Sequence, residues 1–385
     1  NIFHLSGGEK QKIAFASVYA TNPDIYLLDE PSSNLDIPTI DILKKHLSML
    51  KESGKTVIIS EHRIYYIMDL VDRIIYMKNG KIDKIFSNKD FLSLSEDEIK
   101  TMGLRTRNKP SLNIKEKSPI IDKSYLQVNN VSIYRKDKCL IDKLNFSANK
   151  GDIIAVLGSN GIGKTTFLRT LCGLYTDYKG EFILKSKEID EKARKQISYM
   201  VMQDVNYQLF AESVFAECKL GIKNAKDDLI NELLNDFDLY NYKNSHPNTL
   251  SGGQKQRLAI VCGLLCNKEI FILDEPTSGL DYKNMIKTVE LLKSHSKDKI
   301  IFIATHDFEF ASLICNRVLD LEKNKIYVWY TRENFYKNTD PLVKSGYAAI
   351  CSECARKIAL RTDENGEESI AELANSLDLP LNFEI

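Results

Sequence analysis

The chain has 385 residues, and its 53 lysines and arginines balance its 53 aspartates and glutamates, so its formal net charge is zero. This balance gives no sign that a nucleic acid is the main partner. No run approaches the ~18 apolar residues of a membrane-spanning helix. The eight cysteines lie mostly singly in apolar runs, which argues against a disulfide framework. We therefore expect a cytoplasmic chain, long enough for two or three domains.

Residues 1–104 alternate between helical and strand patterns. Helices are predicted over 8–20 and 39–50, and buried strands over 25–28 and 56–60. An Asn-Gly pair between two apolar runs predicts a β-hairpin over 73–82. This alternation favours an α/β fold with a mostly parallel sheet covered by helices.

Residues 105–123 are polar and basic, contain two prolines, and predict a linker between domains. The next region, 124–337, opens with alternating segments that predict antiparallel strands. An apolar run at 152–157 then leads into the glycine-rich sequence GSNGIGKT at 158–165 and a helical pattern.

This order of strand, glycine loop and helix is the context of a phosphate-binding loop. Its glycines let backbone N–H groups turn toward phosphate oxygens, and the following helix presents its positive end. Lys164 is expected to reach the outer phosphates, and the Thr165 hydroxyl to bind Mg²⁺. The candidate nucleotide-binding residues of this segment are Gly158, Ser159, Asn160, Gly161, Gly163, Lys164, Thr165 and Thr166.

The chain also repeats a set of motifs at an offset of 245 residues, or 244 at the last of them. The first set is LSGGEKQ at 5–11, LDEP at 28–31, LD at 35–36 and SEH at 60–62. The second set is LSGGQKQ at 250–256, LDEP at 273–276, LD at 280–281 and TH at 305–306. A constant offset across chemically different motifs indicates a duplicated domain.

Only the second copy has a phosphate loop in this chain. The offset places the first copy's lysine about 81 residues before residue 1. With no initiator Met at position 1, we expect a truncated tandem pair.

On these motifs the sequence resembles the ABC-type ATPase family over about residues 1–100 and 124–335, because LSGGxxQ is that family's signature. The resemblance implies two P-loop ATPase domains, the first incomplete, each combining a mixed sheet and helices with an antiparallel subdomain. It implies ATP and Mg²⁺ as ligands. The residues implied in catalysis are Glu275, His306, Gln203, Glu30 and His62. Those implied at the metal are Thr165, Gln203, Asp274 and Asp29. Those implied at the nucleotide, besides the phosphate loop, are Tyr134, Ser6, Gly7, Gly8, Ser251, Gly252, Gly253, Asp36 and Asp281. For Tyr134, an ordinary strand tyrosine is the alternative.

Domains of this family pair head to tail, which implies that each nucleotide lies between one phosphate loop and the other copy's signature. One composite site would join the second copy's loop and acidic pair to Ser6, Gly8 and Asp36 of the first. We expect the untruncated protein to bind two ATP between its halves and to hydrolyse both, because Glu30 and Glu275 are both present.

Two further segments, SEHR at 60–63 and VMQDVNYQLF at 201–210, resemble the duplicated ATPase of energy-coupling-factor importers for vitamins and related micronutrients. That resemblance implies a transmembrane coupling protein and a substrate-binding membrane subunit as partners, at the cytoplasmic face of the membrane, and no nucleic acid. The alternative is a soluble tandem ABC ATPase acting on ribosomes or nucleic acid. The segment SSNLD at 32–36 resembles the matching segment of a ribosome-recycling member of the family. A non-hydrolysing scaffold is disfavoured by the two acidic pairs.

Residues 338–385 fall outside the resemblance. Helices are predicted over 345–360 and 368–377, without an assigned role. Cys351 and Cys354 would supply two of the four ligands of a structural zinc site, and the pattern favours a plain pair of helix-face thiols.

Overall fold

The computed structural model describes residues 7–33, 35–109, 114–117, 124–136, 138–222, 225–277 and 280–329. The predicted tail helices, the Cys351 and Cys354 pair and Ser6 lie outside the described residues. The predicted α/β fold, with parallel and antiparallel sheets covered by helices, is confirmed. Among the described helices, none has both the length and the apolar run that crossing a bilayer requires.

The first half contains the predicted helices and strands, followed by two short helices that the sequence pattern did not predict. They are α1 (Gly7–Ala20), β1 (Ile25–Asp29), α2 (Ile37–Glu52), β2 (Thr56–Ser60), β3 (Arg73–Lys78), β4 (Lys81–Ser87), α3 (Asn88–Ser93) and α4 (Glu96–Thr101). Strands β1 and β2 are parallel, and β3 and β4 form the predicted hairpin. Its turn residues, Asn79 and Gly80, both have the positive φ that such a turn needs.

The predicted linker contains one short strand, β5 (Ile114–Lys117). It adds to an edge of the large sheet of the second half by pairing antiparallel with β15. Backbone pairing at a sheet edge does not require an apolar pattern, so the polar sequence gave no sign of this strand.

The second half continues from β6 to the end of the described chain. Its strands are β6 (Leu126–Arg135), β7 (Lys138–Ala148), β8 (Ile153–Leu157), β9 (Tyr178–Leu184), β10 (Lys187–Glu188), β11 (Ser198–Val201), β12 (Ile270–Asp274), β13 (Ile300–Ala304), β14 (Arg317–Asp320) and β15 (Lys325–Trp329). Its helices are α5 (Lys164–Leu171), α6 (Glu191–Ile197), α7 (Val214–Lys219), α8 (Asp227–Asp236), α9 (Gly252–Leu265), α10 (Tyr282–Ser294) and α11 (Phe308–Ile314).

The large sheet of this half has the order β11-β12-β13-β8-β14-β15-β5, and its first five strands are parallel. Alternate residues of β8 enter two different cores, Ala155 on one side and Val156 on the other. Burial of both faces explains why these strands are continuous apolar runs. The expected antiparallel strands form a smaller sheet of order β10-β9-β6-β7. Because the parallel strands end at one edge, the loops that follow β8, β12 and β13 lie together there.

Strands β12 and β1, which end in the same LDEP motif, are covered differently in the described chain. In the second half, Ile270 and Ile272 of β12 are fully buried and share a core with Phe302. The matching residues of β1, Ile25 and Leu27, are 58% and 73% exposed in the described chain. Among the described residues, the apolar face that is buried in β12 is therefore exposed in β1.

Gly180 in β9 allows a close backbone approach to β6. Its φ is +104°, and a Cβ added there would lie 2.4 Å from the backbone oxygen of Asn130. We expect Gly180→Ala to lower the free energy of unfolding by about 3 kcal/mol, through this clash and backbone strain. Urea unfolding of the purified chain measures the change.

Gly221→Ala is the matched control, because Gly221 also has positive φ, at +74°, but has open space around it. Strain alone should cost about 1 kcal/mol there. Equal losses in the two variants would show that the contact with Asn130 contributes nothing.

Candidate functional site

The glycine loop after β8 carries the predicted nucleotide-binding residues. Gly158 and Gly163 have φ values of +150° and +114° in this loop. Two of its backbone N–H groups donate to carboxylates: Ser159 to Glu322 Oε1 at 2.8 Å and Asn160 to Asp36 Oδ2 at 3.0 Å. In the structure these N–H groups donate to anionic carboxylate oxygens, and phosphate oxygens are acceptors of the same kind.

Lys164 begins α5 and is buried behind this loop. Its Nζ donates to the backbone oxygens of Gly158 at 2.8 Å and Ser159 at 3.1 Å. Burial lowers the pKa of Lys164. The ammonium group therefore has neutral acceptors, which an anionic phosphate could replace.

Thr165 and Asp274 meet at the end of the central strands. The Thr165 hydroxyl donates to Asp274 Oδ2 at 2.8 Å, and burial raises the pKa of Asp274. Mg²⁺ prefers oxygen ligands and binds through one or two carboxylates together with substrate phosphates. This hydroxyl and carboxylate fit that ion. Gln203, also predicted at the metal, is exposed two residues beyond the end of β11.

Glu275 lies directly after Asp274, with a φ of +50° and its N–H donating to Ala304 O at 2.8 Å. Its carboxylate accepts hydrogen bonds from Thr305 Oγ1 at 3.2 Å and His306 N at 3.3 Å. Burial and the neighbouring Asp274 raise the pKa of Glu275 to about 7. A carboxyl with that pKa is suited to accept a proton from water near neutral pH.

His306 follows β13, and its Nε2 is 3.6 Å from Glu275 Oε1. Burial and the charge of Lys164 lower the pKa of His306 to about 3. The imidazole is therefore neutral near pH 7 and can donate one hydrogen bond and accept another.

The first half repeats this pair in a different environment. Glu30 has a φ of +43°, its N–H donates to Ser60 O at 2.8 Å, and His62 Nε2 lies 3.4 Å from Glu30 Oε1. The hydrogen bond from His62 lowers the pKa of Glu30, against the opposite effect of burial. The backbone geometry is thus repeated, but Glu30 stays ionised where Glu275 titrates near neutrality. Asp29, predicted at the metal, is exposed.

Asp36 brings the two halves together at the glycine loop. Its Oδ1 caps α2 by accepting from Thr39 N at 3.0 Å, while its Oδ2 accepts from Asn160 N. These hydrogen bonds outweigh burial and lower the pKa of Asp36. A side chain of the first half therefore contacts the glycine loop of the second half.

The remaining predicted residues lie at helix ends or beside the smaller sheet. Gly7 and Gly8 form the first turn of α1, and Gly252 and Gly253 that of α9. Ser251 caps α9 in a capping box with Gln254, and Asp281 caps α10. Thr166 lies in the first turn of α5, and Tyr134, half-buried in β6, has Lys179 Nζ 5.6 Å from its ring centroid.

Sequence reasoning missed three side chains that contact this site. They are Thr305 beside Glu275, Glu322 on the glycine loop, and Arg105, which is bonded to the residue after His306. Glu322 and Arg105 lie 163 and 202 residues along the chain from their partners. Only the position of Thr305 next to the histidine could have drawn attention to it.

Comparison with known proteins identifies relatives of the chain. The family model described as "ABC transporter" matches residues 1–33 and 141–278. A protein of Treponema denticola described as an ABC transporter ATP-binding protein is 47% identical over 333 residues, covering 85% of this chain and 68% of the relative. A second such protein of that organism is 38% identical over 342 residues, covering 87% and 69%.

Among solved structures, a model of the archaeal proteins Pelota and ABCE1 bound to a ribosome matches with a TM-score of 0.63 at 23% identity. It covers 83% of this chain and 54% of the matched chain. This similarity concerns the fold alone.

Proposed function

This chain belongs to the ABC transporter ATP-binding family and is an ATPase, and we propose that it drives an importer of the energy-coupling-factor type. In this proposal, ATP hydrolysis powers uptake of a vitamin or related micronutrient through a membrane partner. The observation that carries the ATPase part is the convergence of Lys164, Thr165, Asp274, Glu275 and His306 on one sheet edge, in contact with Asp36 of the other half.

Each of these side chains has a distinct task toward ATP. Lys164 and the loop amides would hold the phosphates, and Thr165 with Asp274 would hold Mg²⁺, which neutralises phosphate charge. Glu275 would accept the proton of the attacking water, and His306 would orient that water and the γ-phosphate. Glu30 and His62 would do the same at a second site that also uses Ser251, Gly253 and Asp281.

A contact between the halves at the glycine loop suggests how hydrolysis could do mechanical work. The glycine-loop amides of the second half would bind a phosphate group as well as Asp36 of the first half. ATP would therefore favour the closed arrangement, and loss of the γ-phosphate would release it.

An exposed apolar surface beside Gln203 supports a membrane partner. Tyr207 and Phe210 are 72% and 70% exposed, and Leu220 nearby in sequence is 56% exposed. Clustered exposed aromatic residues are typical of protein interaction sites. The surface lies next to Gln203, which is predicted at the metal and in catalysis, so partner binding and hydrolysis could influence each other there.

We expect Phe210→Asp to abolish recovery of a multi-spanning membrane protein when the tagged, full-length protein is purified from detergent-solubilised cells. A charge introduced at the centre of an apolar interface typically costs several kcal/mol of binding. Basal ATP hydrolysis should stay within about twofold of wild type. Mass spectrometry of the co-purified proteins makes the measurement.

Ile42→Asp is the matched control, because Ile42 is an exposed apolar residue of α2 in the other half. It should leave the recovered partner unchanged. Recovery of ribosomal particles without a membrane protein would contradict the importer proposal and favour the soluble alternative, and the ATPase chemistry would be unaffected.

A further inference from the structure

Arg105, the first residue of the predicted linker, is bonded to the second half. It is 4% exposed, and its Nη1 forms an ion pair with Asp307 Oδ2. Its Nη2 donates to the backbone oxygen of Leu280 at 3.1 Å. The next residue, Thr106, donates its N–H to Glu309 Oε1 at 3.1 Å. Two consecutive linker residues thus attach to the start of α11 and to the segment before Asp281.

Asp307 connects Arg105 to the catalytic pair. It follows His306 directly, and its N–H donates to Thr305 Oγ1 at 3.0 Å, which in turn donates to Glu275 Oε2 at 3.2 Å. Its second carboxylate oxygen caps α11 by accepting from Phe310 N. The orientation of this carboxylate therefore sets the path of the loop that carries His306.

Electrostatics favour the ion pair. Burial raises the pKa of Asp307, but the charges of Arg105 and Arg63 outweigh burial and lower it to about 2. Glu309 also faces this group, and Arg63 shares with Arg105 and Asp307 the lining of a small cavity between the halves. A fully buried carboxylate that stays ionised needs such partners, and removal of one leaves the other uncompensated.

The first half lacks this arrangement. Glu61 and Arg63 stand where the repeat places Thr305 and Asp307. The Glu61 carboxylate accepts from His62 N at 2.9 Å, Arg63 N at 3.1 Å and the Tyr66 hydroxyl at 2.9 Å. In the first half, Glu61 of the same half holds the loop that carries His62. In the second half, Arg105 of the predicted linker holds the loop that carries His306.

We propose that Arg105 is a positioning residue for ATP hydrolysis: by bonding Asp307 and Leu280 it holds His306 and Glu275 in the reactive geometry only while the linker is seated on the second half. The chemical step thereby depends on the contact between the linker and the second half. The proposal rests on ATP hydrolysis at this site and not on the identity of the transport partner.

Arg105→Ala tests the proposal in the full chain. We expect kcat for ATP hydrolysis at the Lys164 site to fall by about 10–100-fold, because misplaced catalytic groups lose that much, while KM for ATP stays within about threefold. Arg105→Lys, which keeps the charge but not both bonds, should recover part of kcat. Rates are expressed per folded molecule, with the folded fraction taken from thermal unfolding.

Arg107→Ala is the matched control. Arg107 is two residues away and also forms an ion pair, with Glu96, besides donating to the backbone oxygens of Phe91, Leu92 and Leu94, all within the first half. This variant should lose stability but keep kcat per folded molecule within about twofold. An equal loss of kcat in the two alanine variants would reduce Arg105 to a structural role and overturn the proposal.

A double-mutant cycle tests the route through Asp307. If Arg105 acts through that carboxylate, Arg105→Ala combined with Asp307→Asn should lower kcat no further than Asp307→Asn alone. If the two single-variant losses of kcat multiply in the double variant, the proposed route through Asp307 is contradicted. It is also contradicted if Arg105→Ala raises KM and leaves kcat unchanged.

Discussion

Glu275→Gln is expected to lower kcat for ATP hydrolysis at the Lys164 site by about 10²–10⁴-fold while ATP remains bound there. The amide keeps the size of the side chain and can still accept hydrogen bonds from Thr305 and from His306 N, but it cannot take a proton from water. The burial that raises the pKa of Glu275 to about 7 is what makes the wild-type carboxyl an effective base near neutral pH. Single-turnover hydrolysis and retention of labelled ATP on a filter measure the two effects.

The same substitution at the repeated position provides the comparison. Glu30 is one-third exposed, its pKa is lowered, and its site does not include the loop at 158–165. Glu30→Gln should therefore leave hydrolysis at the Lys164 site within about twofold of wild type. Normal turnover by Glu275→Gln with unchanged ATP affinity would remove Glu275 from the role of base.

The pKa of Glu275 is raised and that of Glu30 is lowered, a difference that the sequence did not predict. Both belong to an identical LDEP motif, and the shared left-handed backbone and strand-end position follow from that motif. Their pKa values differ because the surroundings differ: deep burial and the Asp274 charge raise the pKa of Glu275, whereas the hydrogen bond from His62 lowers that of the partly exposed Glu30. A pKa depends on every charge and surface nearby, and these come from distant parts of the chain.

The fold could be predicted from the sequence, whereas the contacts between the halves could not. Periodic burial produced the alternating strands and helices that the apolar pattern predicted, including the hairpin over β3 and β4. Periodicity carries no information about which polar residues meet across an interface. Arg105 was one basic residue in a basic segment, and nothing in that segment distinguished it from Arg107, whose partners are all local.

Lys164→Ala is expected to weaken ATP binding by about 100-fold, roughly 3 kcal/mol, because one ammonium group would make charge-assisted bonds to the outer phosphates. In the structure that group donates to the oxygens of Gly158 and Ser159, with no carboxylate among its hydrogen-bond partners in the described chain. Phosphate would thus replace neutral acceptors without breaking an ion pair. Titration with a fluorescent ATP analogue measures the affinity, and Lys187→Ala, an exposed lysine of β10, should leave it unchanged.

Lys164→Ala also distinguishes a lysine that binds ATP from one that only stabilises the glycine loop. Since Lys164 bonds the loop in the absence of nucleotide, its loss removes two hydrogen bonds worth about 1 kcal/mol each, so a small loss of stability is expected as well. Lys164→Met fills most of the same space without either bond and should match the alanine variant in affinity. If either variant lowers the unfolding temperature yet binds ATP as tightly as wild type, Lys164 supports the loop and does not contact phosphate. A large loss of affinity with a smaller loss of stability is the result that the buried, carbonyl-bonded ammonium group predicts.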